Sequence, residues 1–523
     1  MLDQATPYVP MKDGKASRTK STSTKTLWLF GFGAVPPSIK GDLLNNYLFY
    51  YYNMVLGLGA SWVAAASALA LIVDGVVDPY IGWRSDRCVS PLGRRHPFIF
   101  ASLLPSVISY YALLSLKVGT TQFSLFCQLF ILLCFLRISW ALFEVPRGAL
   151  APEVTKDYDE RTELNGISMA MGWLGGGAMS YATKQLFLRA SYDDAEGYER
   201  LARWGSLALA VFGSTFALST PYSPSMDKRL PPSKLALMRG SDDDDDEDGD
   251  ANEARHVPPT PLGSSTLGAR GHLSEALTTL SHRDFVAILA SGLVYNLYMG
   301  VTMGLGAYVN KFLWEWEPQD TAPFELVVGA LALLVSLSAR RLASRWEKRD
   351  LTLRLFTFAI VIGPLHLILR LADRWLGLPV FPHNGSKYGP LWWCLLAHAV
   401  LTTVPSILGM ILLTSMIADV VEDSQAHTGR RSEGLFFAGP ALLQKTTSGI
   451  GFLVKGWLLH VTGFEAAATS SEKAAAMEKV AFCMVMLALV LPTTAVMILA
   501  RYQISRSSHQ RNLIHLGYAA ADR

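Results

Sequence analysis

The chain has 523 residues, of which 50% are hydrophobic and only 17% are charged, and its mean hydropathy is +0.26. Globular proteins carry about 25% charged residues, and the apolar residues here fall in long blocks, so the composition argues against an ordinary soluble enzyme. The formal net charge of +3 does not indicate nucleic acid as a partner, and the five cysteines predict neither a disulfide framework nor a metal site.

Twelve stretches are long and apolar enough to cross a membrane, since a spanning helix needs about 20 mostly apolar residues. They form two groups of six, so the predicted fold is an all-α membrane protein with halves at 26–221 and 284–501. Residues 222–283 hold an acidic run and several prolines, which predicts a disordered linker. The predicted spans are 26–56, 60–81, 98–117, 122–150, 164–188, 203–221, 284–313, 322–341, 352–372, 390–416, 435–461 and 476–501.

Basic residues in short loops predict the orientation. They cluster at one end of the twelve-span arrangement, which by the positive-inside rule is the cytoplasmic end. The linker and both tails, 1–25 and 502–523, lie at this end. Asn384 begins an Asn-x-Ser sequon in a loop on the predicted outer side and is a candidate glycosylation site. The sequence leaves open a plasma or an organelle membrane, and the expected state is a monomer in the lipid bilayer.

The two halves resemble each other internally. An acidic patch followed by Arg161-Thr-Glu163 comes after the fourth span, and a similar patch followed by Arg431-Ser-Glu433 comes after the tenth. Repeated six-span halves predict a transporter built from parallel repeats, with its site near the midplane between them.

Seven charged residues lie deep inside the predicted spans, where each costs about 2.5–3.5 kcal/mol to insert. Four acids against three bases leave one excess negative charge, which is expected of a vacant cation site. The alternative is a set of internal ion pairs that only lock the helices together. The seven residues are Lys40, Asp42, Asp74, Asp78, Arg137, Glu144 and Lys445.

The strongest motif is the Asp74 and Asp78 pair on the second span. Residues four apart share one helical face, and two like charges at that distance favour a bound cation or proton. We therefore predict a cation-binding site at Asp74 and Asp78, assisted by Glu144. Lys445, on the eleventh span, would compete with a metal cation for these carboxylates and couple ion binding to solute binding. No metal is expected beyond a possible sodium ion.

The first and fourth spans carry the candidate solute contacts. The first span is interrupted by prolines and polar residues, and broken backbone is tolerated at membrane depth where it lines a cavity. The fourth span places polar and aromatic residues on one face by their spacing of three and four. The predicted solute contacts are Asp42, Asn45, Arg137, Trp140 and Glu144. We also predict an interfacial aromatic belt at residues 50–52 and a Lys455 that extends to the outer surface.

Four segments resemble the glycoside-pentoside-hexuronide:cation symporters of the major facilitator superfamily. They read DGVVDPYIGWRSDR, GRRHPFIF, FEVPRGALAPEVTKDYDERTELNG and IADVVEDSQAHTGRRSEGLFFAGPALLQK. The resemblance implies the major facilitator fold, with twelve helices in two pseudo-symmetric halves. It also implies that Asp74 and Asp78 are the cation-binding aspartates, that Glu144 is the fourth-helix acid, and that Lys445 is the eleventh-helix lysine.

The resemblance further implies a cytoplasmic gate whose charged residues pair across the halves in the outward-facing state. The gate residues are Asp86, Arg87, Arg94 and Arg95. Two departures concern the solute. Ser38 stands where melibiose permease has a sugar-binding aspartate, and Gly148 replaces an aromatic residue that stacks on the sugar, so the galactoside pocket is not retained.

We therefore expect a secondary active transporter without a cofactor, which couples a sodium or proton gradient to the movement of a small organic solute by alternating access. A sugar-type solute is favoured, and a lysolipid or another amphiphile is the alternative, as is a non-transporting receptor or scaffold. A membrane enzyme is disfavoured because His366, His398 and His427 have no partners at ligand spacing. These histidines are interpreted as packing residues.

Overall fold

The computed structural model describes seven ranges of the chain, and within them the regular structure is helical. The linker, the outer parts of both tails and Asn384 lie outside these ranges, so the predictions for them stay untested. The described residues are 23–154, 158–220, 282–343, 346–378, 380–381, 388–428 and 433–515.

The N-terminal half contains helices α1 to α6. The first is broken, and its segments are Thr24–Phe32, Val35–Asp42, Leu43–Tyr47, Leu48–Tyr50 and Tyr51–Val55, of which the third and fifth are π-helical. The others are α2 (Ala60–Asp86), α3 (His96–Ser115), α4 (Gln122–Val154), α5 (Tyr158–Ala182, continued by the π-helical Thr183–Leu188) and α6 (Ala195–Ser219).

The C-terminal half repeats this pattern in α7 to α12. They are α7 (Arg283–Thr302, continued by Gly306–Tyr308 and Val309–Leu313), α8 (Pro318–Ala343), α9 (Lys348–Ile362 and Leu365–Leu376), α10 (Pro390–Thr428), α11 (Glu433–Val461) and α12 (Ser470–Leu499). A short helix, α13 (Arg506–His515), follows in the predicted tail. Each predicted span coincides with one of α1 to α12. Several helices are longer than predicted because an apolar stretch marks only the part of a helix inside the membrane.

Among the described residues, nine helices are long and apolar enough to cross a membrane: α2, α3, α4, α6, α7, α8, α9, α10 and α12. The other three predicted spans are α1, α5 and α11. The breaks in α1 leave no long continuous helix, and polar residues and glycines lower the hydropathy of α5. For α11, side chains are described only from Gln444 onward.

Polar side chains satisfy the backbone where helices break. The break in α9 falls at Gly363-Pro364, because proline cannot continue the hydrogen-bond ladder. The Nε2 atom of His398 lies 3.0 Å from the carbonyl oxygen of Ile362 and 3.1 Å from that of Gly363. The break in α7 falls at Gly304, whose φ of +81° is a conformation that glycine adopts without strain. Buried backbone groups in a membrane must be paired, and side chains do this here.

We call the end of the helices that carries the α1–α2 and α7–α8 loops the distal end, and the end with the chain termini the proximal end. Contacts between the two halves close the distal end. Tyr308 donates to Asn53 Oδ1 at 2.8 Å, and the Gln319 backbone N–H donates to the Arg189 carbonyl at 3.1 Å. Deeper in the membrane, α2 packs on α11 and α5 packs on α8. The halves are therefore joined at this end.

The predicted aromatic belt at residues 50–52 is wrong. All three tyrosines are fully buried. Tyr51 and Tyr52 donate their hydroxyls to the carbonyls of Leu114 and Leu113, where α3 ends. These hydroxyls pair carbonyls that the end of a helix leaves free, so this part of α1 is a core element.

Candidate ion-coupling site

Lys445 joins the two halves at the predicted ion site. Its Nζ atom lies 3.0 Å from Asp74 Oδ2 and makes a shorter contact with Asp78 Oδ2. Arg137 of α4 reaches the same Asp74 oxygen at 3.1 Å. Only 8% of Asp74 is exposed. Two acids on one face of α2 therefore meet one base from each half, and the predicted convergence of these residues is observed.

Glu144 belongs to a second pair. Lys40 of α1 donates to Glu144 Oε1 at 2.8 Å, and the same ammonium lies 5.0 Å from the centre of the buried Trp140 ring. Glu144 remains within electrostatic range of Asp78. Glu144 is thus a neighbour of the Asp74 and Asp78 pair, but its own charge is balanced by Lys40 of α1. Its role in cation binding stays a prediction.

Asp42 is the one member of the seven predicted deep charges that forms no ion pair in the described part of the chain. Asn46 donates to its Oδ1 at 2.8 Å, whereas its Oδ2 is buried without a hydrogen-bond partner. The single excess negative charge expected from the sequence therefore lies on α1. Asn45, three residues farther along in the π-helical segment Leu43–Tyr47, is half-buried next to the α7 break at Gly304.

The predicted gate residues lie where α2 ends and α3 begins. Arg95 forms an ion pair with Asp86 and donates to Ser85 Oγ at 2.7 Å. Arg87 stacks on Trp83, with 4.5 Å between the guanidinium carbon and the ring centre. Arg94 lies in the same connecting loop. The Asp86–Arg95 pair is inside the N-terminal half, so pairing of these residues across the halves stays a prediction.

One ion pair between the halves was not predicted from the sequence. Lys184 of α5 and Glu325 of α8 form an ion pair across the halves at 2.5 Å. Both residues lie inside predicted spans, so a complete count of charges within the spans would have found them.

Lys455 is fully buried, and the prediction that it extends to the surface is wrong. Its Nζ donates to the Met303 carbonyl at 2.7 Å and lies 4.1 Å from the centre of the Phe49 ring. The α7 break frees this carbonyl, and the lysine supplies the missing donor.

A cavity of about 300 Å³ is lined by the C-terminal half and by Lys184 of α5, with the Lys184–Glu325 pair in its wall. His366 and His398 also line it, and their ring centres are 4.2 Å apart. The consecutive helices α9 and α10 bring the two rings together, and within the described ranges they belong to no group of three or more His, Cys, Asp or Glu residues that could hold a metal ion. Aromatic walls with a few polar groups suit a small organic ligand. The aromatic lining residues are Tyr298, Trp314, Trp316 and Phe324.

Residues 29–229 and 259–506 match the family described as MFS/sugar transport protein. The chain belongs to this family. It is an integral, multi-pass membrane transporter of the major facilitator superfamily, and the predicted fold class is confirmed. The family match covers both halves, which agrees with the arrangement of α1 to α6 and α7 to α12.

Three similar proteins illustrate the relationship. An uncharacterized symporter of Synechocystis is 24% identical over 83% of this chain and 85% of its own length. The isoprimeverose transporter of Lactiplantibacillus pentosus is 21% identical over 83% of this chain and 79% of its own length. The xylose transporter XylE from E. coli, in an inward-open conformation, superposes with a TM-score of 0.55 at 13% identity, covering 94% of this chain and 98% of XylE.

Proposed function

We propose that this transporter moves a small sugar-type solute together with a cation, by alternating access, with its proximal end in the cytoplasm. Its family and the isoprimeverose transporter among its relatives support a sugar-type solute. The aromatic cavity supports the same class, since sugar rings stack on aromatic faces. The comparisons do not favour a lysolipid carrier or a receptor. Transport of this kind needs no catalytic step and no cofactor, and one chain supplies both halves.

The observation that carries the proposal is the contact of Lys445 with both Asp74 and Asp78. The lysine comes from the C-terminal half and the aspartates from the N-terminal half. A sodium ion or proton that binds these carboxylates competes with the lysine, because each acidic oxygen can satisfy only one of them at close range. Ion binding therefore weakens a contact between the halves, as coupling of an ion to a conformational change requires.

The solute is proposed to bind between the halves, where the ion-paired network meets the broken part of α1. Arg137 and Glu144 would interact with it there after leaving their present partners, and Trp140 would stack on it. Asp42 and Asn45 would contribute from α1. The C-terminal cavity supplies a second aromatic surface next to this region, since Lys184 in its wall interacts with Asp42.

The test is uptake into proteoliposomes under imposed sodium or proton gradients, with radiolabelled isoprimeverose and xylose as first solutes. The wild type is expected to accumulate solute under one of the gradients. Asp78→Asn is expected to lose accumulation because the ion loses a carboxylate, while downhill exchange remains. Asp350→Asn, the same change at an exposed residue at the start of α9, is the matched control. Accumulation by Asp78→Asn at the wild-type level would refute the proposal.

A further inference from the structure

Asp42 differs from the other deep carboxyl groups because no base in the described part of the chain forms an ion pair with it. Only 9% of the residue is exposed. One carboxyl oxygen accepts from Asn46, and the other, Oδ2, makes no hydrogen bond. A buried charged oxygen without a partner is costly, and such groups are normally neutralised. The geometry therefore favours a proton bound to Oδ2.

The groups around Asp42 come from four helices. Lys184 of α5 and Glu325 of α8 interact with it electrostatically, and together the three residues carry one net negative charge. Tyr47, on the same helix, shares a 3.1 Å hydrogen bond with Ser180, whose hydroxyl also interacts with the Asp42 carboxyl group beyond normal hydrogen-bond distance. Tyr110 of α3, whose hydroxyl has no hydrogen-bond partner, also interacts with Asp42.

A proton fits this cluster better than a metal ion. Sodium and other hard cations require several oxygen ligands, whereas the vacancy here is one oxygen of one carboxylate. The nearby ammonium of Lys184 repels a second cation. Within the described ranges, no group of three or more His, Cys, Asp or Glu residues could hold a metal ion. Protonation neutralises the excess charge and turns Oδ2 into a donor.

We propose that Asp42 is a proton-binding site, distinct from the Asp74 and Asp78 pair, and that its protonation keeps Lys184 paired with Glu325 and thereby closes the distal end. In the step, a hydronium ion transfers one proton to Asp42: one O–H bond breaks in the hydronium ion, which becomes water, and one O–H bond forms at Oδ2. When Asp42 loses the proton, its carboxylate competes with Glu325 for Lys184. The inference rests on the proposed cation-coupled transport, to which it adds a second ion.

The observed contacts agree with the protonated state. Lys184 pairs with Glu325 at 2.5 Å, and Asp42 has no base of its own. Because Glu325 lies in the C-terminal half while Asp42 and Lys184 lie in the N-terminal half, a transfer of Lys184 from Glu325 to Asp42 removes a contact between the halves. The distal contacts of Asn53, Tyr308 and Arg189 then lack the support of the Lys184–Glu325 ion pair, which lies deeper in the membrane.

The test measures opening of the distal end directly and needs no solute. Spin labels are placed on cysteines introduced at Val118 and Leu378, exposed distal residues of opposite halves, in a background whose native cysteines are replaced. Distances are recorded by pulsed electron resonance from acidic to alkaline pH. We expect the distance between the two labels to increase in the wild type at alkaline pH. Asp42→Asn, which mimics the protonated form, is expected to stay short at every pH.

A second variant is expected to change the distance between the labels in the opposite direction. Glu325→Gln frees Lys184 for Asp42, so the distance is expected to be long even at acidic pH. Asp350→Asn is the control and is expected to behave as the wild type. The inference is overturned if Asp42→Asn keeps the wild-type pH response, or if Glu325→Gln stays short. These distances do not depend on transport, so they can fail while the wild type still accumulates solute, and they can succeed if it does not.

Discussion

Lys445→Gln tests the competition between the lysine and a sodium ion. The substitution shortens the side chain by one atom and removes the charge that lies 3.0 Å from Asp74 and closer still to Asp78. Asp74 retains Arg137, whereas Asp78 loses its basic partner. The two like charges on α2 are then balanced by one base only. We expect a sodium ion to bind this pair more tightly than in the wild type.

The size of the effect follows from the contacts that are lost. A unit charge pair at 3 Å in an effective dielectric constant of about 20 interacts by roughly 5 kcal/mol before desolvation is subtracted. The side chains of Lys445 and Asp78 are 29% and 28% exposed, so water screens part of this attraction. Hydrogen bonds to charged groups have a net value of about 1.5–3 kcal/mol. Taking about 2 kcal/mol, sodium affinity should rise by about 30-fold, since 1.4 kcal/mol is tenfold.

The assay is the sodium-dependent shift of thermal unfolding of the purified protein, titrated with sodium at constant ionic strength. Lys445→Gln is expected to reach half of its maximal shift at a sodium concentration about 30-fold lower than the wild type. Lys445→Arg keeps the charge and should titrate as the wild type. The double variant Asp78→Asn with Lys445→Gln should lose this increase in sodium affinity. If Lys445→Gln binds sodium no more tightly than the wild type, the lysine does not compete with the ion.

Two further substitutions test the contacts that hold the distal end. Gly456→Leu is expected to lengthen the Val118–Leu378 distance, because even a Cβ atom at position 456 would lie 2.5 Å from the Cβ atom of Ala64 on α2. Gly292→Leu is the control, because Gly292 has open space around it. Equal Val118–Leu378 distances in the two variants would contradict the reasoning. Lys455→Met is expected to lower the free energy of unfolding by about 1–2 kcal/mol, since the Met303 carbonyl loses its donor. The exposed Lys479→Met is its control in thermal unfolding, and an unchanged Lys455→Met would show that the carbonyl is otherwise satisfied.

The positions of α1 to α12 were predictable because a bilayer imposes a length and a hydropathy that the sequence displays directly. The breaks in α7 and α9 were not predicted. Gly304 and the Gly363-Pro364 pair are visible in the sequence, but a broken helix is stable only where another side chain replaces the missing donor or acceptor. Lys455 and His398 have this role, and both come from a helix other than the one that breaks.

The candidate site was predictable to the extent that charge in a membrane is costly. That cost alone indicated that Asp74, Asp78 and Lys445 would meet. The partner of Glu144 could not be predicted, because it depends on how α1 packs against α4 at the level of Lys40. The tyrosine run was assigned to the membrane interface because its residue type suits both a wet surface and a core with free carbonyls, and only packing distinguishes the two.

Two ion pairs across the halves use equivalent helices at different depths. Lys445 of α11 pairs with α2, and Lys184 of α5 pairs with α8, whereas Lys311 of α7 pairs with Asp193 at the distal surface. Glu325 lies seven residues from the distal start of α8, or about 10 Å, whereas Asp78 lies eighteen residues from that of α2, or about 27 Å. In the proposed mechanism, a cation at Asp74 and Asp78 would release Lys445, and a proton at Asp42 would retain Lys184. Loading both ions would therefore close the distal end while it loosens the deeper contact, which is the order of events that inward symport requires.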